Sequence, residues 1–223
     1  MPPERLDNLS IRRKVMGETL APLTIFLLGL FTFTTAQILI ASDMGWHMNA
    51  ALNMFNGRGY VDMDWSPLFK KGPIWPFMIS LTYHLFGVSP WSGFWAVRIF
   101  AVLNPVLIYY FGKKLYDNKI GLAASMLTLS SYSVNYWSYR HLDAVWPFFT
   151  IISILYLYLA IEKNNYIYFI ISGILLALAY LVKHVPILLI PLPFILIFFI
   201  KDYRSKENIK GASLWLFVFF FIR

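Results

Sequence analysis

Long apolar stretches, most of them close to the length of a membrane-spanning helix, constrain this chain more than any other feature. Hydrophobic residues make up 59% of its 223 residues, and charged residues make up only 13%. A charge deep in hydrocarbon costs several kcal/mol, so charged residues gather where an apolar stretch meets water. The sequence therefore predicts an all-α polytopic membrane protein, because a soluble domain of this size does not need so many apolar residues.

The apolar stretches predict about six complete transmembrane helices and an incomplete seventh, since a helix needs about 20 apolar residues to cross about 30 Å of hydrocarbon. We expect a cytoplasmic N-terminal segment over 1–19 and one transmembrane module over 20–223, incomplete at its C-terminus. The predicted spans are 20–41, 92–112, 120–138, 144–161, 166–182 and 185–200, with a further apolar run from about residue 212.

Lysine and arginine residues set the expected orientation, because cytoplasmic loops carry an excess of both. The apolar segment 73–87 would be only about 22 Å long as a helix at 1.5 Å per residue, so it could span tightly or lie at the interface. If it does not cross, 12 of the 19 basic residues face the cytoplasm and 6 face outside. If it crosses, the most basic loop, 201–210, faces outside. The sequence therefore predicts that segment 73–87 does not cross the membrane and that the N-terminus is cytoplasmic. We expect the protein to lie in the plasma membrane of a prokaryote.

The first outer loop, 42–91, is predicted to hold interfacial amphipathic helices. Met48, Ala51, Leu52 and Phe55 follow the spacing of one helical face, and Gly57 and Gly59 suit a helix end. An amphipathic helix of this kind lies in the plane of the membrane surface.

In this orientation, several chemically capable side chains share the non-cytoplasmic face. Two carboxylates could do acid–base chemistry, three basic residues could bind a phosphate, and three histidines could contact an acceptor or a metal. The candidate acids are Asp43 and Asp143, the candidate phosphate contacts are Lys71, Arg98 and Lys183, and the histidines are His47, His141 and His184.

Structural explanations compete with these roles. Asp43 could cap the helix that follows it, and Asp143 could cap the next span with Arg140 as its partner. The lysines could simply extend to headgroup depth. A divalent cation shared by His141 and Asp143 would need at least a third ligand, so metal binding stays open.

A series of short elements between residues 20 and 200 resembles the membrane-embedded GT-C glycosyltransferases. The closest likeness is to the protein O-mannosyltransferase, aminoarabinose-transferase and dolichyl-phosphate-mannose-protein mannosyltransferase-like branches. Two departures are that Met44 stands where the family often has Glu and that Gly72 replaces the first of two prolines. The elements are Asp43 after the first span, Lys71-Gly72-Pro73 opening a short helix, Phe86-Gly87, Arg98, Lys113-Lys114-Leu115-Tyr116, Asp143 opening a later span and Leu181-Val182-Lys183 closing another.

This resemblance implies a seven-span module that transfers a sugar, with inversion, from a polyprenyl-phosphate carrier to an acceptor hydroxyl on the extracytoplasmic side. Asp43 would be the general base or acceptor-orienting acid, and Asp143 would be the acid of the second outer loop. The implied partners are a polyprenyl-phosphate-linked sugar donor and a protein, lipid or glycan acceptor. The net charge of +8 indicates basic loops and contact with anionic membrane lipid rather than nucleic acid.

Two other classes of protein stay open. A transporter or flippase for a lipid-linked or small polar substrate would place ionisable residues near the middle of the bilayer, whereas the charges here lie at the ends of the spans. A non-catalytic membrane assembly subunit would fit the departures from the family pattern.

Overall fold

The computed structural model describes residues 19–32, 42–61, 72–131, 134 and 143–222, with the backbone alone at positions 42, 43 and 201. These residues form helices and connecting turns without a β-sheet, as the all-α prediction requires. Two 3-10 segments, Val185–Leu189 and Lys201–Tyr203, precede the last two α-helices. In chain order the α-helices are α1 (Thr19–Thr32), α2 (Ser42–Phe55), α3 (Ile74–Phe86), α4 (Pro90–Leu115), α5 (Asn118–Ser130), α6 (Val145–Lys163), α7 (Tyr166–Val182), α8 (Leu192–Phe199) and α9 (Lys206–Ile222).

Within the described ranges, two helices are both long and apolar enough to cross a membrane. They are α4, with 26 residues, and α6, with 19. Helix α7 occupies the predicted segment 166–182 but is shorter, with 17 residues. The predicted spans 20–41 and 120–138 run partly outside the described residues, and their helices are described as far as Thr32 and Ser130. The lengths alone therefore establish fewer spans than the predicted six.

The predicted span 185–200 is divided into two short pieces. A 3-10 segment covers Val185–Leu189, and α8 begins only at Leu192. The division has a local cause, because Pro191 and Pro193 lack the backbone N–H that a continuous helix would use to bond the carbonyl groups four residues earlier.

The first outer loop contains both helices that the sequence predicts. Helix α2 ends at Phe55, and Gly57 and Gly59 follow it with φ angles of 72° and 82°, in the left-handed region that glycine tolerates. Helix α3 begins directly after Pro73 and ends at Gly87. The two helices pack against each other and against α4, where the Met48 side chain lies close to the Gly93 backbone.

A basic end of the bundle, comprising residues 113–119, 162–165 and 203–208, is fixed by contacts between distant segments. Lys114 Nζ lies 3.4 Å from Glu162 Oε2, so α4 and α6 finish side by side. Ser205 Oγ, just before α9, donates to Asn164 Oδ1 at 2.8 Å. The turn at Asn164 and Asn165 makes α6 and α7 antiparallel, so the start of α6 and the end of α7 meet at the opposite end of the bundle.

Two apolar clusters fill the space between the ends. One joins α2, α3 and α4 to Ala144, Val145 and Val182, and the other joins the second half of α6 to α7, α8 and α9. In the second cluster, Ser153 and Ser172 bond each other's backbone carbonyl groups at 2.8 Å. The indole N–H of Trp215 donates to Ser172 Oγ at 2.9 Å. Buried hydroxyl pairs of this kind bind apolar helices to each other in a membrane, where the hydrophobic effect contributes little to helix–helix association.

Candidate functional site

An ion pair between Asp143 and Lys183 forms the centre of the candidate site. Lys183 Nζ lies 2.5 Å from Asp143 Oδ1, although the two residues are 40 positions apart. The carboxylate side chain is 16% exposed and the lysine side chain is 47% exposed. The structure therefore brings together one predicted acid and one predicted phosphate contact, with the cation open to solvent on one side.

The helix ends explain why these two residues meet. Asp143 belongs to the turn before α6, and Lys183 directly follows the last residue of the antiparallel α7. The Trp146 indole N–H also donates to Asp143 Oδ1, at 3.2 Å. The capping role considered for Asp143 is not what the structure shows, because Ala144 is the cap residue of α6 and no side chain caps that end.

The backbone just before α3, at Gly72, is in close contact with the end of α7 at Leu181, two residues from the ion pair. A Cβ atom added at Gly72 would overlap the carbonyl group of Leu181, two residues before Lys183. The approach explains why position 72 is a glycine, since any side chain there would collide with backbone. Gly72 is therefore held against the end of α7, and Lys71 lies outside the described residues.

Tyr60, which follows α2 in the chain, is bonded to Gly72, just before α3. Its hydroxyl donates to the Gly72 carbonyl oxygen at 3.2 Å. Burial raises the pKa of the Tyr60 phenol to about 12, because the ionised form would lose hydration. Tyr60 therefore keeps its proton, and with it this hydrogen bond, at any physiological pH.

The second predicted acid, Asp43, is the second residue of α2, and its backbone is described without its side chain. It lies in the first turn of the helix rather than before it, where the helix dipole favours a negative charge. Its neighbour Met44 is buried in the apolar cluster that also contains Ala144 and Val182. Each of those two residues directly adjoins a member of the ion pair, so the start of α2 belongs to the same cluster as the site.

Arg98 lies on the third turn of α4. Its side chain is buried, and its guanidinium carbon is 5.8 Å from the ring centres of both Trp91 and Trp95. Cation–π contacts of this kind stabilise a buried guanidinium. Among the described residues, the cation paired with Asp143 is Lys183 rather than Arg98.

The histidines have separate environments. His47 is buried on α2 with its ring edge-on to Trp46, and His184 is exposed with its ring 4.7 Å from that of Tyr180. His141 and Arg140 lie outside the described residues. No group of three His, Asp or Glu side chains within the described ranges is arranged to hold a metal ion.

Sequence reasoning missed a buried amide that supports the Asp143 turn. Asn104 Nδ2 donates to the Ala144 carbonyl oxygen at 2.8 Å, from the middle of α4. The available signal was a polar residue inside a predicted span, since such residues are rare in apolar helices and are generally kept for a function.

Chemically, the arrangement offers a fixed carboxylate and an adjacent, half-exposed ammonium group at the end of an apolar bundle. A phosphate could displace the carboxylate from the ammonium group or share that group with it, and a hydroxyl could donate to the carboxylate.

Comparison with known proteins agrees with such chemistry. A family model described as dolichyl-phosphate-mannose-protein mannosyltransferase matches residues 70–222, which is more than half of the chain. No curated protein and no solved structure matches the chain significantly.

Proposed function

The chain belongs to the dolichyl-phosphate-mannose-protein mannosyltransferase family, a membrane-integral family of GT-C-type glycosyltransferases, and we propose that it transfers a sugar from a polyprenyl-phosphate carrier to an acceptor hydroxyl on the extracytoplasmic side of the membrane. The family implies a dolichyl-phosphate sugar donor and a protein acceptor in general. For this chain, the proposed transfer proceeds with inversion at the anomeric carbon.

The observation that carries the proposal is the Asp143–Lys183 pair at the end of an apolar helix bundle. A polyprenyl tail is soluble only in hydrocarbon, so its phosphate is held at the depth of the lipid headgroups. Lys183 ends α7 and is half exposed, which suits a cation that meets a phosphate at that depth. Asp143 keeps the ammonium in place and remains beside the reacting groups.

In the proposed reaction, the acceptor oxygen attacks the anomeric carbon while the bond between that carbon and the phosphate oxygen breaks. The acceptor proton passes to the Asp43 carboxylate, which acts as general base. The electron pair of the broken bond stays on the phosphate, so the lipid monophosphate leaves with added negative charge. Lys183 and Lys71 stabilise that charge, since cations near a developing anion lower the barrier.

Asp143 has a different role in this mechanism. Both donors that the described residues supply bind its Oδ1 atom, so Oδ2 can accept from the acceptor hydroxyl and orient it. Arg98 is assigned a weaker role at the donor phosphate than the lysines, because its guanidinium group already contacts the rings of Trp91 and Trp95. His47, His141 and His184 remain candidates for contact with the acceptor, and a divalent cation is not needed for the steps proposed.

Replacing one lysine tests the proposal against a matched control. Lys183→Met keeps the length of the side chain but removes the charge, and we expect the KM for a polyprenyl-phosphate-mannose donor to rise about tenfold, which corresponds to about 1.4 kcal/mol of lost phosphate binding. Lys114→Met removes a similarly exposed lysine from the Lys114–Glu162 pair at the basic end. The control should keep the donor KM of the unmodified protein.

The assay uses purified protein in nanodiscs, the radiolabelled donor and a serine- and threonine-containing peptide mixture. A rise in donor KM with Lys183→Met alone supports the assignment. Equal effects of the two lysine variants, or no transfer by the unmodified protein with any acceptor or with water, would contradict it.

A further inference from the structure

Asn104 is a polar residue placed at the middle of the longest described helix. Its side chain is buried, with 7% of the residue exposed. The amide group donates to the Ala144 carbonyl oxygen at 2.8 Å, which ties α4 to a turn 40 residues away. That turn carries Asp143. Asn104 therefore contacts the backbone next to Asp143 and makes no hydrogen bond with the ion pair itself.

Stability alone does not explain an amide at this position. Asn104 Oδ1 is buried and has no hydrogen-bond partner among the described residues. An unsatisfied buried acceptor costs about 1–3 kcal/mol, which is comparable to or larger than the gain from one neutral hydrogen bond. The Ala144 carbonyl is also in the cap position of α6, where it accepts the first hydrogen bond of that helix from within the helix. The extra bond from Asn104 therefore adds little to folding.

The surroundings of Asn104 make it a fixed point for the turn. Pro105 follows it and has no N–H to bond the Ala101 carbonyl, so the α4 ladder is interrupted there. Ser125 of α5 donates to the Pro105 carbonyl at 2.8 Å and holds this part of α4 in place. The Asp143 turn is thus held through its backbone by Asn104 and through its carboxylate by Trp146 and Lys183.

We propose that Asn104 is a positioning residue that fixes the Asp143 carboxylate for sugar transfer, at a cost to stability. The role rests on the proposed function, because it assumes that Asp143 orients an acceptor. In this role Asn104 contacts neither the donor nor the acceptor. Its loss therefore affects the rate of transfer rather than the binding of the donor.

The variant Asn104→Leu separates this role from a structural one, since leucine has the same number and branching of side-chain heavy atoms and no unsatisfied acceptor. We expect the thermal midpoint to stay equal or to rise, the kcat for transfer from polyprenyl-phosphate-mannose to fall about tenfold, and the donor KM to change less than twofold. A structural residue would lower the thermal midpoint instead.

Asn208 supplies a matched control at the basic end. It is also a buried asparagine with an unpartnered Oδ1, and its Nδ2 donates to the Ile161 and Tyr203 carbonyl groups at 3.3 and 3.0 Å. Asn208→Leu should leave the kcat of the folded protein unchanged. A tenfold fall in kcat with Asn208→Leu would show that any buried amide matters and would overturn the specific role of Asn104.

A second readout does not depend on enzymatic activity. The chain has no cysteine, so Asp143→Cys introduces a single thiol into the turn. We expect this thiol to react several-fold faster with a charged methanethiosulfonate when Asn104→Leu is added, and at an unchanged rate when Asn208→Leu is added. An equal rate in all three proteins would overturn the proposal, even if Asn104→Leu folds poorly in the activity assay.

The two readouts also distinguish the inference from the function on which it rests. If the unmodified protein transfers no sugar, the proposed function fails, whereas the thiol rates still decide whether Asn104 holds the turn. If transfer is normal in Asn104→Leu, the positioning role fails while the function stands.

Discussion

At the scale of single residues, the surroundings of Asp143 favour an orienting role over that of a general base. Asp143 has two donors on one oxygen, the Trp146 indole N–H at 3.2 Å and the Lys183 ammonium group at 2.5 Å, so its charge is already compensated. A carboxylate held in this way suits an orienting role. Asp43 lies in the first turn of α2, which leaves it as the candidate base.

Asparagine at each position tests the assignment. We expect Asp43→Asn to lower kcat at least about 100-fold, because an amide cannot take the acceptor proton, and general bases contribute 10²–10⁴-fold. Asp143→Asn should lower kcat less, because the amide oxygen can still accept from Trp146. Single-turnover transfer from the labelled donor, with both proteins at equal folded concentration, measures the two rates. Activity of Asp43→Asn near that of the unmodified protein would reject Asp43 as the base.

The meeting of these residues was only partly predictable. The count of Lys and Arg in each loop places Asp143 and Lys183 on one face of the membrane, but it does not pair them. Pairing depends on the lengths of α6 and α7 and on the angle at which they cross, and both are set by packing between helices. The same holds for Asn104 and Ala144, which are 40 residues apart and carry no shared pattern.

At the scale of helices, the contact between the start of α3 and the end of α7 controls where the first outer loop meets the site. Gly72→Ala would place a methyl group on the Leu181 carbonyl, and we expect it to cost about 1–3 kcal/mol, typical of overpacking against backbone. Transfer should fall with it, because α3 must move away from Lys183. Thermal unfolding in detergent and donor turnover measure the two effects.

Gly45→Ala is the matched control, because Gly45 lies within α2 and an added Cβ there meets nothing within 4 Å. Alanine is favoured over glycine inside a helix by about 1 kcal/mol, so the thermal midpoint should rise. If Gly72→Ala is as stable as Gly45→Ala and equally active, the close approach of α3 and α7 does not exist in the membrane.

Helix positions were predicted best where local chemistry decides them. The glycines after Phe55 mark the end of α2, as predicted, and α7 begins at Tyr166, where the predicted span 166–182 begins. The division of 185–200 also had a sequence signal, namely the prolines at 191 and 193, which hydropathy alone does not register. The start of α9 at Lys206 was missed because Ser205, which accepts from the Asn208 N–H, extends the helix into a basic segment.

At the scale of the whole molecule, charge is separated between the two ends of the bundle. The basic end and the adjoining turn of α9 together carry seven cationic residues with described side chains, and one of them, Lys114, is paired with an acid. An excess of Lys and Arg on one side predicts the cytoplasmic side. The cationic residues of the basic end and the adjoining turn of α9 are Lys113, Lys114, Lys119, Lys163, Arg204, Lys206 and Lys210.

Single introduced thiols test this orientation in the full chain, which has no cysteine of its own. His184→Cys places a thiol beside Lys183, and Lys119→Cys places one in the exposed first turn of α5. In intact cells, a membrane-impermeant maleimide should label the first variant and not the second, since a charged reagent cannot cross the hydrocarbon. After permeabilisation both should be labelled to the same extent, which controls for intrinsic reactivity. Labelling of Lys119→Cys alone in intact cells would place the ion pair on the cytoplasmic side, where extracytoplasmic transfer could not occur. Labelling of both variants in intact cells would contradict the predicted separation of the two ends across the membrane.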